Sequence, residues 1–167
     1  MRLTAIVVAL TEVFRNDWAS SFQPQQWNVI HSRARAIRGP HVHPIHADYQ
    51  LLVHGRAFVA LQDLRRGSPT FDRRHTFWLD GDCLVGLLVP PGVLHTFLFA
   101  TQSVLVVATD THYDPLDRFE CHWEDPELQV EWPETALWLS ERDQRAGPLV
   151  TVREQLEPYQ RNLCPMV

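Results

Sequence analysis

The stretch Gln50-Leu51-Leu52-Val53-His54-Gly55-Arg56-Ala57-Phe58-Val59-Ala60-Leu61-Gln62 decides the fold, because two short apolar runs flank a single glycine-centred break. Each run is too short for a stable helix and rich in residues that suit a pleated surface, so both read as strands, with His54-Gly55-Arg56 as a hairpin. The same punctuation continues downstream. Arg66-Gly67-Ser68-Pro69 precedes a strand over His75 to Leu79, and Asp80-Gly81-Asp82 precedes Leu84 to Val89. Pro90-Pro91-Gly92 then turns the chain into His95 to Phe99, and Ser103 to Thr109 follows. Upstream, Leu3 to Leu10 reads as a first strand. Only Arg153 to Arg161 looks helical, with Leu156 and Tyr159 as apolar contacts and Pro158 limiting its length. The expected architecture is all-β, an eight-stranded or jelly-roll barrel with a short C-terminal helical segment, since closure removes exposed strand edges.

Composition bounds the rest. A chain of 167 residues that is 45% hydrophobic can bury a full core, and no linker or repeat interrupts it, so one domain over residues 1–167 is expected. Leu3 to Leu10 is too short to cross a bilayer and leads into Glu12 and Arg15 rather than a small-residue cleavage site. No membrane partner is expected. All 15 basic side chains are arginine. Without lysine there is no Schiff-base chemistry and no phosphate-loop lysine. A net charge of -5 with scattered arginines offers no basic stripe for nucleic acid. Cys83, Cys121 and Cys164 fit neither a disulfide framework nor a zinc knuckle, which points to a reducing cytoplasmic location.

Histidines carry the chemical signal. His41-x-His43 puts two imidazoles on one face of a strand, Asp48 and Gly55 follow, and Pro90-Pro91-Gly92-Val93-Leu94-His95 brings another imidazole to the start of a later strand. The pattern H-x-H-x4-D-x6-G followed by P-x-G-x2-H resembles the two cupin motifs, with Asp48 where glutamate is usual. That resemblance implies His41, His43, Asp48 and His95 converging on a divalent metal. Iron, manganese, nickel, zinc and copper suit such ligands about equally.

A closer resemblance runs from about Asn28 to Val150. His31-Ser32, Ile37-Arg38-Gly39-Pro40-His41, Asp63-Leu64-Arg65-Arg66-Gly67-Ser68-Pro69-Thr70-Phe71 and Val89-Pro90-Pro91-Gly92-Val93-Leu94-His95 occur in order. They are followed by Trp123-Glu124-Asp125-Pro126-Glu127-Leu128, Glu131-Trp132-Pro133 and Leu139-Ser140-Glu141-Arg142-Asp143. This series resembles the dTDP-4-dehydrorhamnose 3,5-epimerase family. The resemblance implies a homodimeric cupin jelly roll that exchanges protons next to the ketone of a 4-keto-6-deoxy nucleotide sugar without a cofactor. By the same resemblance His41 is the base and Asp143 its carboxylate partner, while Arg38, His95 and Tyr113 contact the substrate. The chain departs from the family at four places. The pocket lysine falls at or near Asp48, the proton-donating tyrosine at Val107, and an aspartate at Val59. The N-terminal nucleotide-holding segment has no counterpart in Phe14-Arg15-Asn16-Asp17-Trp18-Ala19-Ser20. Tyr49, His43 and His54 are the candidate replacement donors, any of which would support epimerisation at one carbon rather than two.

The two resemblances compete for one atom, because a lone pair of His41 that ligates a metal is not a free base. A third reading, a non-catalytic sugar-binding cupin, follows from the missing lysine and tyrosine. His112, His122 and the acidic run Glu120, Glu124, Asp125 and Glu127 read as a solvated surface loop. Trp123 and Trp132 read as packing.

Overall fold

The computed structural model describes residues 10–18, 22–136 and 138–163. One antiparallel sheet holds β1 (Gln26–Ser32), β8 (Ser103–Thr109), β3 (Asp48–His54) and β6 (Gly86–Val89), in that order. The other holds β5 (Arg74–Asp80), β4 (Arg56–Asp63), β7 (Val93–Phe99), β2 (Ala36–Val42) and β9 (Phe119–Glu120). Except for the β4–β5 pair, successive strands from β1 to β8 alternate between the sheets, which makes the all-β jelly roll expected from the sequence.

That alternation corrects the reading of His54-Gly55-Arg56 as a hairpin. β3 pairs with β6 and β8, β4 pairs with β5 and β7, and Gly55 is the corner where the chain changes sheet. Its φ of +85° is open to glycine, and a β-carbon there would meet the Gln102 carbonyl oxygen at 2.5 Å. The corner has the same local sequence as a turn, and the long-range partners decide where its strands go. The expected first strand lies outside the described residues except for Leu10, which is exposed and not in a strand.

Period-two alternation divides each strand between core and exterior. Leu52, Ala57, Val59, Phe97, Phe99, Leu105 and Val107 fill the space between the sheets at one end of the barrel. Further along the same interior faces, Asp48 and Gln50 on β3, His95 on β7 and Thr109 on β8 replace apolar side chains with polar ones. On the outside, Ile37, Phe58, Leu98 and Trp123 pack over the five-stranded sheet, with Trp132 half-buried against them. Tyr49, Leu51 and Ala108 of the other sheet are covered by Phe22 and Phe14.

The C-terminal helical segment begins earlier than Arg153. α1 (Glu141–Gln144) is a single capped turn, and α2 (Leu149–Leu156) follows Pro148. A 3-10 turn over Glu157–Tyr159 then leads into α3 (Gln160–Leu163). Leu149, Val152 and Leu156 fall on one helical face and are buried against Leu64, Leu94 and Leu128. Pro158 sits at the start of the 3-10 turn, where a missing N–H costs least. Among the described residues no helix is long and apolar enough to cross a membrane.

One buried carboxylate organises the loop after β4. Asp63 Oδ1 accepts hydrogen bonds from Arg65 N and Nε, and Oδ2 accepts from Arg65 Nη2, Ser68 Oγ and Thr70 Oγ1 at 2.6–2.8 Å. Burial raises the carboxyl's pKa, but these bonds outweigh it and hold Asp63 well below the usual carboxylate range. Asp63→Ala strands the Ser68 and Thr70 hydroxyls and a partly buried guanidinium, and is expected to cost about 3 kcal/mol in chemical denaturation. Because the folded pKa is depressed, the carboxylate's stabilisation is complete above about pH 4 and fades as the pH falls below it. The wild-type and Asp63→Ala unfolding midpoints should therefore converge on acidification; a gap that stays constant to pH 3 would contradict this role.

Candidate active site

Polar interior positions of both sheets face a cavity of about 420 Å³. Its walls include Asn28 of β1, Arg38 and His41 of β2, Asp48 and Gln50 of β3, His95 of β7 and Val107 of β8. β2 reaches the cavity irregularly. Its register with β7 slips between Arg38 and His41, across the cis Gly39-Pro40 bond, so that His41 sits opposite His95. Both imidazoles then line the same space.

His41 is held from behind. Its Nε2 lies 2.7 Å from Asp143 Oδ1, and both side chains are buried. Asp143 is delivered by α1, whose N-cap is Ser140; Ser140 Oγ donates to Asp143 Oδ2 at 2.8 Å and accepts from Asp143 N–H. Arg118 Nη2 donates to Asp143 Oδ1 at 3.1 Å, and Arg118 Nε lies 3.4 Å from Glu120. With its charge already met by Ser140 and Arg118, Asp143 does not have to ionise His41. Burial dominates instead and takes the His41 pKa down to about 3, against the raising effect of the Asp143 hydrogen bond. The ring is therefore neutral at neutral pH, with its Nε2 proton donated to Asp143 and a lone pair on Nδ1. That is the protonation state a general base requires.

A second constellation surrounds Asp48. His46 Nε2 lies 3.3 Å from Oδ1, while His43 Nε2 and His95 Nε2 lie 3.6 and 3.4 Å from Oδ2. Gln50 Nε2 donates to Oδ2 at 3.0 Å. Each imidazole is braced through Nδ1: His43 on the Asp117 carbonyl at 2.6 Å, His46 on the Asp117 carboxylate at 2.5 Å, and His95 on the Val93 carbonyl at 3.3 Å. Burial opposes a charge on His46, but hydrogen bonds to Asp117 and Asp48 outweigh it and lift its pKa to about 9. Burial instead pushes His43 down to about 4.

The sequence-derived residues divide as follows. Arg38, His41, His43, Asp48, His95 and Tyr113 all line the cavity, and Asp143 stands behind His41. The four ligands of the cupin pattern are split, because His41 Nε2 is committed to Asp143 while His43 and His95 turn to Asp48. Tyr49 does not reach the cavity. Its neighbours Asp48 and Gln50 face inward, so alternation sends the Tyr49 ring to the outer face, where it packs on Phe14 and Phe22 and its hydroxyl donates to the Val13 carbonyl. It is therefore neither a substrate contact nor a proton donor in the cavity. His54 ends β3 exposed and does not line the cavity either. His112 is exposed in the irregular segment after β8, as expected, and also stands at the cavity rim.

His46, Asp117, Arg118 and Gln50 were not singled out in the sequence. Gln50 was available from its position two residues after Asp48. Asp117 and Arg118 lie in an irregular segment without periodicity, and only tertiary contacts bring them to the histidines.

A jelly roll with an inward-facing, carboxylate-braced neutral imidazole defines a cupin fitted for proton transfer, and comparison with known proteins narrows this class. Residues 9–150 match the family model described as dTDP-4-dehydrorhamnose 3,5-epimerase. The chain belongs to the dTDP-4-dehydrorhamnose 3,5-epimerase family. A dTDP-4-dehydro-6-deoxyglucose 3-epimerase from Streptomyces bikiniensis is 32% identical over 145 residues, covering 84% of this chain and 74% of the relative. A dTDP-4-dehydrorhamnose 3,5-epimerase from Mycobacterium tuberculosis is 33% identical over 147 residues, covering 84% and 73%. Among solved structures, the 4-keto-6-deoxy sugar epimerase of the novobiocin gene cluster of Streptomyces spheroides superposes with a TM-score of 0.78 at 29% identity, over 86% of this chain and 77% of that one. A 3'-monoepimerase from Streptomyces bikiniensis in complex with dTDP-quinovose gives 0.76 at 28% identity, over 89% and 86%.

Proposed function

We propose that the protein is a carbohydrate epimerase that exchanges a proton on a carbon next to the ketone of a 4-keto-6-deoxy nucleotide sugar, with His41 as base and Asp143 as its partner. The 2.7 Å contact between His41 Nε2 and Asp143 Oδ1 carries this reading, because it presents a neutral imidazole whose other nitrogen is free to take a proton. Loss of that proton leaves an enolate, and protonation from the opposite face inverts the carbon. The steps move protons only and involve no net redox change, so no cofactor is required.

Arg38 lines the cavity beside His41 and offers positive charge and hydrogen bonds to the enolate oxygen or to a diphosphate, while His95, kept neutral by burial, shapes the same wall. Tyr113 stands at the rim, 65% exposed, where a nucleotide base can stack. Val107 occupies an inward position opposite Gln50, so β8 supplies no phenol at that point of the wall. Tyr113 is the phenol that does line the cavity. With one base and no phenol on β8, exchange at a single carbon is the favoured outcome.

The working unit in this reading is a homodimer. β1 is an edge strand of the four-stranded sheet, and its Trp27 and Val29 are 50% and 61% exposed on the outer face, an apolar surface suited to a second copy. A cytoplasmic location fits the free thiols of Cys83 and Cys121.

Incubation with dTDP-4-keto-6-deoxyglucose in deuterated water tests the activity. Deuterium is expected at one carbon flanking the ketone, from a species with the mass of two 19.4 kDa chains. No incorporation at high enzyme concentration would leave the non-catalytic sugar-binding cupin as the better account.

A further inference from the structure

Arg118 reaches the cavity from a segment, residues 110–118, that forms neither helix nor strand, yet it is fixed on every side. The preceding Asp117 anchors the backbone: its Oδ1 accepts from Ile45 N–H at 3.0 Å, its Oδ2 from His46 N–H at 3.1 Å, and its carbonyl lies 2.6 Å from His43 Nδ1. Arg142 Nη2 donates to the Arg118 carbonyl at 3.1 Å. The side chain is held as well, with Nη2 donating to Asp143 Oδ1 at 3.1 Å and Nε 3.4 Å from Glu120 Oε2. Among the described residues Nη1 makes no hydrogen bond. The entropy of fixing a long side chain is therefore met in folding rather than in substrate binding, which leaves a preorganised donor at the cavity wall.

Charge at this wall is unbalanced in favour of an anion. The guanidiniums of Arg38, Arg118 and Arg142 stand against two carboxylates, Asp143 and Glu120, so the group carries a surplus of one positive charge. Arg118 and His41 also share one acceptor, Asp143 Oδ1. When His41 Nδ1 takes a proton from the sugar, the C–H bonding pair becomes the enolate double bond and the carbonyl pair moves to the ketone oxygen on the neighbouring carbon. The imidazole is then positive and the oxygen negative. Charges alternate around a closed path of enolate, Arg118, Asp143 and His41, whereas before the transfer only the Arg118–Asp143 pair is ionised. Such a path favours the transition state over the bound substrate.

We propose that Arg118 is a catalytic residue of the epimerisation, with its unpaired Nη1 donating hydrogen bonds to the ketone oxygen as that atom becomes the enolate oxygen. The role rests on the epimerase reading above and assigns the enolate a partner in a pocket that has no lysine. Arg118 gives up no proton, since a guanidinium stays ionised in proteins. Arg38, the other guanidinium on the wall, is then available to the diphosphate.

Wild type and Arg118→Ala are compared by deuterium exchange into dTDP-4-keto-6-deoxyglucose and by dTDP binding. Burial lowers the His41 pKa and the Arg118 charge lowers it further, against the Asp143 hydrogen bond, so removing Arg118 also makes the base easier to protonate. That indirect effect vanishes once His41 is neutral in both proteins, so kcat is read at about pH 8.5, well above the ordinary imidazole value. There Arg118→Ala is expected to lose about 10²- to 10³-fold in kcat, the usual cost of removing an oxyanion donor. Its dTDP affinity should stay within about threefold of wild type, and added guanidinium ion should restore part of the rate. Circular dichroism checks folding, and Arg118→Gln serves the same comparison if the alanine variant is unfolded. A folded variant within about fivefold of wild-type kcat at this pH would overturn the proposal, as would a loss confined to dTDP affinity. Either result leaves the epimerase reading intact, whereas absence of exchange in the wild-type protein removes both.

Discussion

Substituting His41 with asparagine should lower kcat for deuterium exchange by about 10³- to 10⁴-fold, the contribution expected of a positioned general base. Asparagine keeps an N–H that can reach Asp143 but has no basic nitrogen to face the cavity. The effect should fall on kcat rather than on nucleotide-sugar affinity, because Arg38, His95 and Tyr113 remain on the cavity wall. Asp143→Asn should produce a loss of similar order for a different reason. Its carboxamide can turn an N–H toward His41 Nε2, which favours the tautomer with the proton on Nδ1 and removes the lone pair from the cavity side. It also leaves the partly buried Arg118 without one of its carboxylate partners. Both losses are read from initial rates of exchange against the unfolding midpoint of each variant. A folded His41→Asn protein that exchanges within tenfold of wild type would remove His41 from the base position.

Gly39→Ala should impair the site severely without removing any polar side chain. Gly39 has φ of +91°, a conformation unfavourable to residues with a β-carbon. An added β-carbon would meet the His95 carbonyl oxygen at 2.6 Å and the His41 backbone nitrogen at 2.8 Å. Both are backbone atoms and cannot swing aside. Relief requires β2 and β7 to separate where the register slips, and those strands carry His41 and His95. A strand shift of about 1 Å misaligns base and substrate, and a loss on the order of 100-fold in kcat/KM is expected, together with a destabilisation of about 1–3 kcal/mol for the strained backbone. Kinetics and urea denaturation measure the two effects. A variant with unchanged kcat/KM would show that the bulge tolerates a side chain and does not place the two histidines.

Much of the site was legible because strand periodicity is local. His41, Asp48 and His95 were marked by their spacing to Gly55 and Gly92 and by alternation along short runs, and all three line the cavity. Alternation also forbids Tyr49 from joining Asp48 and Gln50 inside, a consequence available from adjacent positions alone. Asp143 was available only from collinear resemblance, since it stands 102 residues from its partner and nothing in its neighbourhood marks it as buried. His46 gave no period-two signal, because it lies in the irregular segment after β2, and its importance comes from Asp117, 71 residues away.

The amino-acid sequence by itself determined the β class, the positions of most turns, the absence of lysine and the set of imidazoles available for chemistry. These follow from side-chain size, backbone freedom and alternation between neighbours. Only the tertiary structure decided which sheet each strand joins, which nitrogen of each histidine is braced, and that His43, His46 and His95, but not His41, turn to Asp48. Strand pairing and hydrogen-bond choice are settled by contacts between segments far apart in the chain, and a local pattern holds no record of where its distant partner will lie.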